Sequence, residues 1–97
     1  MPTQKLTSNE ITAALHELPG WKHNPRGRLE ADFEFKTFAE AFSFMTRVAF
    51  EAERLNHHPD WTNSYNRVHV ELMTHDSGGI TEKDLKLARK ISEIDWS

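Results

Sequence analysis

The feature that most constrains the fold is one long helical pattern with a clear start and a clear stop. Its apolar residues recur at spacings of three and four: Phe38, Ala41, Phe42, Met45, Val48, Ala49, Ala52 and Leu55. Pro59 disfavours a helical conformation at His58, so the helix is predicted to end near Asn56 or His57. A helix with such a stripe must bury it against another layer, which the rest of the chain has to supply.

Two further helices are predicted, over residues 8–18 and residues 81–94. All three helix starts have a threonine followed three residues later by an acid: Thr7 with Glu10, Thr37 with Glu40, and Thr81 with Asp84. Where the acid is Glu, we expect a reciprocal capping box. Asp84 has a shorter side chain, so there we expect only the threonine cap and a favourable interaction with the helix dipole.

The segments between the helices are predicted as strands: residues 21–23, 29–35, 67–73 and, as a short strand or an irregular segment, 61–64. Apolar and polar residues alternate clearly in 29–35 and in 67–73, as in strands with one buried face. Tight turns favour antiparallel pairing. The pattern therefore predicts an α+β fold, with a four-stranded, mainly antiparallel sheet, three helices on one face and the order αββαββα. Residues 67–73 are a candidate edge strand.

Composition excludes several classes of function. The 97 residues include 12 basic and 15 acidic side chains, for a net charge of −3, and no basic stripe, so direct nucleic-acid binding is disfavoured. The absence of cysteine excludes disulfides and thiolate chemistry. No apolar run reaches the ~18 residues of a membrane span, and the polar N-terminus lacks a signal-peptide core. We expect one soluble, cytoplasmic domain over residues 1–97, small enough to favour self-association.

Three histidines are the candidate chemical groups. His57 and His58 stand at the end of the long helix, and His75 follows the strand pattern of residues 67–73. Each histidine alone is readily explained as a surface residue or as a helix C-terminal residue favoured by the dipole. A helix end and a strand end that both present histidine indicate a common pocket. Such a pocket has a proton donor and a proton acceptor available near neutral pH.

A zinc site is the main alternative for these histidines, because three histidines can bind zinc and leave one position open. Adjacent side chains such as His57 and His58 usually point in different directions, however, and the chain has neither cysteine nor a His-x-x-x-His pair. Proton exchange is therefore favoured over metal binding. Trp61 and Tyr65 are candidates for a flat wall beside a planar heterocycle. One of the nearby acids can orient an imidazole and set its tautomer: Glu53, Asp60, Asp76 or Asp84.

Several longer motifs resemble one known family. Residues 53–61 read ERLNHHPDW and are followed by YNRV at 65–68, LMTHD at 72–76 and GGITEKD at 78–84. Upstream, GW at 20–21 precedes an F-x-F-x-x-F spacing from Phe33 and AFxFMTRVA at 41–49. In this order and spacing the chain resembles the pterin-4a-carbinolamine dehydratases from Leu18 onwards. It departs from many members at Met73, where they carry a small hydroxyl residue.

The resemblance implies the dehydration of 4a-hydroxytetrahydropterin to quinonoid dihydropterin, in tetrahydrobiopterin recycling, without a metal or an organic cofactor. It implies general acid–base catalysis by His57, His58 and His75, in which we expect His57 and His75 to exchange protons while His58 assists binding. The substrate-binding residues that it implies are Glu53, Asp60, Trp61, Thr74, Asp76 and Asp84. It also implies a homodimer, joined edge to edge, or a homotetramer. The alternative is a protein-binding module, similar to a dimerisation cofactor or transcriptional coactivator, that docks partners on the long helix.

Overall fold

The computed structural model describes residues 3–94 and gives the predicted order of helices and strands. The elements are α1 Ser8–Leu15, β1 Lys22–His23, β2 Leu29–Glu34, α2 Phe38–Leu55, β3 Asp60–Ser64, β4 Arg67–Leu72 and α3 Glu82–Ser92. A short 3-10 turn, His75–Ser77, lies between β4 and α3. The predicted αββαββα order is confirmed, and the uncertain segment after Pro59 is a strand.

The four strands form one antiparallel sheet in the order β1-β2-β4-β3. Strand β4 pairs on both sides, since Val70 is opposite Ala31 on β2 and opposite Trp61 on β3. The expectation that residues 67–73 form an edge strand is therefore wrong. The alternation of β4 marks one buried face, but it does not distinguish a central strand from an edge strand. The edges are β1 and β3.

One face of the sheet is apolar and packs on the helices, as predicted. Leu29, Val70 and Leu72 on this face have no exposed surface. The other face is charged and open: its cross-strand pairs include Glu30 with Glu71 and Asp32 with His69. The sheet therefore has a dry side that builds the core and a polar side that the helices do not cover.

The buried face of α2 differs from the predicted stripe. The core residues of the helix are Ala41, Phe44, Val48 and Ala52. Phe38 and Phe42 were expected to be buried but are 47% and 55% exposed, and Phe50 is 63% exposed. The ring of Phe44 packs 4.7 Å from that of Phe33, which fixes which side of α2 faces the sheet. Because α2 carries two neighbouring apolar stripes, its periodicity did not determine which stripe is buried.

The helix ends also differ in detail from the predictions. Helix α1 ends at Leu15 rather than Leu18, although Leu18 is still buried. The capping box at Thr7 is confirmed, whereas Glu40 accepts the backbone N–H of Lys36 instead of that of its own cap residue. The full box that was not expected at Asp84 is present. Within residues 3–94, no helix is both long enough and apolar enough to cross a membrane.

Candidate functional site

The end of α2 directs two adjacent histidines to different environments. Asn56 adopts the left-handed conformation (φ 51°), and the backbone N–H of His57 bonds back to the carbonyl of Ala52 at 3.0 Å. This reversal turns the side chain of His57 towards the core, where it is 11% exposed, whereas that of His58 is 57% exposed. The abrupt end of α2, which Pro59 predicted, therefore places the two imidazole rings in different environments.

A tight turn after β4 presents the third histidine. The backbone N–H of Thr74 donates to the carbonyl of Gly79 at 2.8 Å and closes the turn. Gly78 occupies the left-handed region (φ 72°), which a residue without a side chain adopts at little cost. His75 stands at the start of this turn with its side chain 68% exposed. The turn holds its own backbone firmly while leaving the imidazole accessible.

A buried carboxylate, Asp84, joins α3 to both of these segments. It has no exposed surface, and its Oδ1 lies 2.5 Å from Nε2 of His57. Its Oδ2 accepts the backbone N–H of Thr81 at 2.8 Å and the hydroxyl of Thr74 at 2.9 Å. Since the single proton of Thr74 is used there, the Thr81 hydroxyl must donate to Thr74, across 2.7 Å. Three donors thus satisfy the buried charge, as burial of a carboxylate requires.

Each histidine of the predicted trio faces a different acid. His57 contacts Asp84, Nε2 of His58 lies 2.6 Å from Oε2 of Glu53, and Nε2 of His75 lies 3.6 Å from Oδ2 of Asp60. The first pair is buried, and the other two are largely exposed to solvent. The sequence indicated that one of four acids would orient an imidazole. In the structure Asp84 and Glu53 lie at hydrogen-bond distance from an imidazole, Asp60 is 3.6 Å from His75, and Asp76 lines the cavity.

The three histidines meet at one cavity of about 300 Å³. Its lining comprises Asn56, His57, His58, Met73, Thr74, His75, Asp76 and Lys83. This volume is at the lower end of the range of small-molecule sites. Asn56 and Lys83 were not predicted as site residues, although Lys83 directly precedes Asp84 and Asn56 directly precedes His57, which are the signals that would have found them. The catalytic roles of the three histidines stay a prediction.

Trp61 and Tyr65, the two aromatic residues predicted to form a flat wall, do not line this cavity. Trp61 lies on β3 opposite Val70, half-buried against the core, and its part in substrate binding stays a prediction. Tyr65 is in the turn between β3 and β4, at the far end of the strand from Asp60. At about 3.3 Å per residue, it lies roughly 15 Å away from the histidines' end of β3. The expectation that Tyr65 adjoins the cluster is therefore wrong, because the intervening residues are extended.

A different histidine, His69, contacts two acids on the open face of the sheet. Its Nδ1 lies 2.6 Å from Asp32 and its Nε2 3.0 Å from Glu71. The hydrogen bond with Glu71, followed by that with Asp32, raises the pKa of His69, and the bond with His69 lowers the pKa of Glu71. A larger groove, of about 500 Å³, lies beside this histidine. Both ring nitrogens are occupied, so His69 has no nitrogen left for a substrate.

Comparison with known proteins gives a consistent result over almost the whole chain. The family model described as pterin 4 alpha carbinolamine dehydratase matches residues 4–94. A protein of Opitutus terrae, provisionally named a pterin-4-alpha-carbinolamine dehydratase, is 54% identical over 99% of this chain and 98% of its own. A similarly named protein of Rhizobium meliloti is 51% identical over 96% of this chain and 90% of its own.

Two solved structures share the fold. One, from Brucella melitensis, is described as a transcriptional coactivator/pterin dehydratase; it is 47% identical, covers 92% of this chain and 96% of its own, and has a TM-score of 0.89. The other is a pterin dehydratase-like protein described as a RuBisCO assembly factor. It is 19% identical over 74% of this chain and 84% of its own, with a TM-score of 0.64, and so bears on the fold alone.

Proposed function

The chain belongs to the pterin 4 alpha carbinolamine dehydratase family, and we propose that it removes water from 4a-hydroxytetrahydropterin to give quinonoid dihydropterin, in the recycling of tetrahydrobiopterin. The reaction breaks the C4a–O bond and removes the proton on N5. It needs a proton donor and a proton acceptor, and no nucleophile or oxidant. A cavity that brings three histidines together supplies both roles.

The anchoring of His57 by Asp84 is the observation that carries the proposal. With the carboxylate accepting the proton on Nε2, the neutral ring keeps its lone pair on Nδ1. Burial of Asp84 and its two other hydrogen bonds hold the ring in one orientation. His57 is thus prepared to accept a proton at Nδ1, and we assign it the N5 proton of the substrate.

His75 is the proposed proton donor. Its ring is exposed on the turn at the cavity, with Nε2 3.6 Å from Oδ2 of Asp60. The C4a–O bond breaks with its electron pair, and the departing oxygen takes the proton of His75 and leaves as water. The electrons of the N5–H bond then form the C4a=N5 double bond. His58, together with Thr74 and Asp76 at the cavity, is assigned to substrate binding.

The test is the decay of freshly generated 4a-hydroxytetrahydropterin, followed by ultraviolet absorbance. We expect the wild-type protein to accelerate the decay, and the His57→Ala and His75→Ala variants to lose about 10²-fold or more in kcat. His58→Ala should mainly raise KM. Circular dichroism would confirm that each variant is folded. Equal, small losses in all three variants would refute the acid–base assignment, and no acceleration by the wild type would refute the activity.

Self-association is proposed from the exposed face of α2. Phe38 and Phe42 lie with ring centroids 5.9 Å apart, and Phe50 is exposed further along the helix. Exposed aromatic rings on one helix favour a protein partner, and we propose a second copy of this chain, giving a homodimer or a homotetramer. Light scattering of the wild type and of Phe42→Glu would test this, and a monomeric wild type would contradict it.

The same exposed rings favour a second function, that of a protein-binding module. The Brucella melitensis relative is described in part as a transcriptional coactivator, and helical faces are common docking surfaces. On this alternative the histidine cavity has no main catalytic role. The absorbance assay discriminates between the two functions, because a folded protein that does not accelerate decay leaves only the binding module.

A further inference from the structure

A second, smaller cavity adjoins the histidine cavity. It has a volume of about 190 Å³, and its lining includes Lys5, Ser8, His23 and Arg26. Met73 lines both cavities. The two spaces therefore adjoin at this residue, on either side of the turn that carries His75.

The charge of the second cavity contrasts with that of the chain. The protein has a net charge of −3, yet three basic side chains and no acidic one line this space. Within residues 3–94, no carboxylate lies within 4.0 Å of the side-chain nitrogens of Lys5 or His23, whereas Arg26 bonds to Glu71. Two basic groups without an acidic partner beside a small cavity favour an anionic ligand.

Several contacts of the N-terminal segment hold Lys5 beside the second cavity. The backbone N–H of Leu6 donates to the carbonyl of Ile80 at 2.8 Å, and the hydroxyl of Ser77 donates to the carbonyl of Thr3. The stem of Lys5 crosses Gly79 so closely that a Cβ atom at Gly79 would clash with Cδ of Lys5. The N-terminal segment is therefore fastened to the turn that carries His75, and the glycine leaves room for the lysine.

We infer that this cavity is a subsite for an anionic side chain on the pterin, such as a phosphomonoester, held by Lys5 and His23 with the Ser8 hydroxyl. The inference rests on the proposed function, since the pterin ring occupies the histidine cavity while its side chain passes Met73. The substrate class is then a 4a-hydroxytetrahydropterin with a phosphorylated side chain. Charge-assisted hydrogen bonds to phosphate are the strongest of the contacts available here.

The kinetic test compares two 4a-hydroxytetrahydropterins, one with a neutral dihydroxypropyl side chain and one with its monophosphate. We expect a KM about tenfold lower for the phosphate, with kcat unchanged, as a single charge-assisted hydrogen bond would give. The double variant Lys5→Gln/His23→Gln should remove the difference. Lys22→Gln is the matched control. Lys22 is exposed on the same strand as His23 but lies opposite Glu30 in the strand register, on the open face of the sheet. An equal KM ratio in wild type and double variant would overturn the inference.

A binding measurement separates this inference from the proposed activity. Inorganic phosphate is titrated into the ¹⁵N-labelled protein, and the amide shifts of Leu6 and Gly79 are followed. We expect saturable shifts at millimolar phosphate that are lost in the Lys5→Gln/His23→Gln variant and kept in Lys22→Gln. If neither substrate is turned over, these shifts still support an anion site, and their absence overturns it. Phosphate binding without a KM preference would overturn the side-chain subsite.

Discussion

His57 and His69 both contact acidic side chains, but their surroundings differ. His57 has a single acidic partner, the fully buried Asp84, and its ring adjoins a cavity with two further histidines. His69 lies on the open face of the sheet between two acids, Asp32 and Glu71, with both ring nitrogens in contact. The first arrangement fixes a ring through Nε2 and leaves Nδ1 without an acidic partner within residues 3–94. The second neutralises a charge cluster.

Because His69 has such contacts too, closeness to carboxylates is not by itself the reason to propose His57 for proton exchange. His69 has the raised pKa and lies beside the larger groove, and it shares metal-ligand spacing with Glu30 and Asp32. A structural ion-pair network raises a pKa in the same way as a catalytic one. His57 differs from His69 because one of its ring nitrogens has no acidic partner in the part of the chain that the structure describes and because two other histidines line the same cavity. Both differences favour His57 as the residue proposed for proton exchange.

The strongest test of the difference between the two histidines is to replace the acid beside each one with its neutral amide. In Asp84→Asn, the amide oxygen can still accept from Thr74 and Thr81, so the amide NH₂ must face His57. Nε2 then has to accept, and the ring proton moves to Nδ1, the nitrogen assigned to the substrate. We expect kcat to fall about 10²-fold or more, by the tautomer effect that such substitutions produce elsewhere, while the free energy of unfolding falls by only about 1 kcal/mol.

Asp32→Asn is the matched control for this substitution. Asp32 is exposed and His69 keeps its bond to Glu71, so kcat should be unchanged and the free energy of unfolding should change by less than about 1 kcal/mol. Stopped-flow absorbance and urea unfolding measure the two quantities. Equal activity losses in the two variants would remove the distinction between the two histidines.

The sequence could place the three histidines near one another because their positions follow from helix and strand ends. Pro59 fixed the end of α2, and the alternation in β4 fixed where the turn with His75 begins. The choice of buried stripe on α2 was not predictable from periodicity, since it depends on the ring of Phe44 meeting Phe33 across the core. Packing between elements that are distant in sequence decided it.

The role of Asp84 shows the same limit at the level of one side chain. Its position after Thr81 explained it as a helix-start residue, and it is indeed a capping residue. Asp84 was one of four acids predicted to be able to orient an imidazole, but the local pattern did not single it out as the partner of His57, which lies 27 residues earlier. Only the packing of α3 beside the end of α2 brings them together, so one side chain serves both helix capping and the site.

The pH dependence of the free energy of unfolding should also distinguish the His69 network from the His57 site, although the effect is smaller. The pKa of His69 is raised above its ordinary 6.5, so its bonds stabilise the fold fully below that pH and lose their effect as pH rises through the folded-state pKa. The pKa of Glu71 is lowered below 4.5, so its contribution is present above that pH and is lost as pH falls through the folded-state pKa. The network should therefore contribute most between pH 4.5 and 6.5.

The variant His69→Gln tests this pH window. Solvent screens the exposed Asp32, so we expect a loss of only about 0.5–1 kcal/mol in the free energy of unfolding near the middle of the window. The loss should shrink at alkaline pH, and kcat should stay at the wild-type value. Urea unfolding at several pH values provides the measurement. A loss that is independent of pH would show that the ring contributes through packing instead of charge.

The smallest effect is expected where a histidine of the cavity has an exposed acid. His58 and Glu53 lie 2.6 Å apart, but both side chains are more than half exposed, so water can replace either partner. We expect Glu53→Gln to change the free energy of unfolding by less than about 0.5 kcal/mol and kcat by less than about threefold. If Glu53→Gln instead lowered kcat as much as Asp84→Asn, then burial of the acid would not be what prepares a histidine for proton exchange. The distinction between His57 and His69 would then have to rest on the cavity alone.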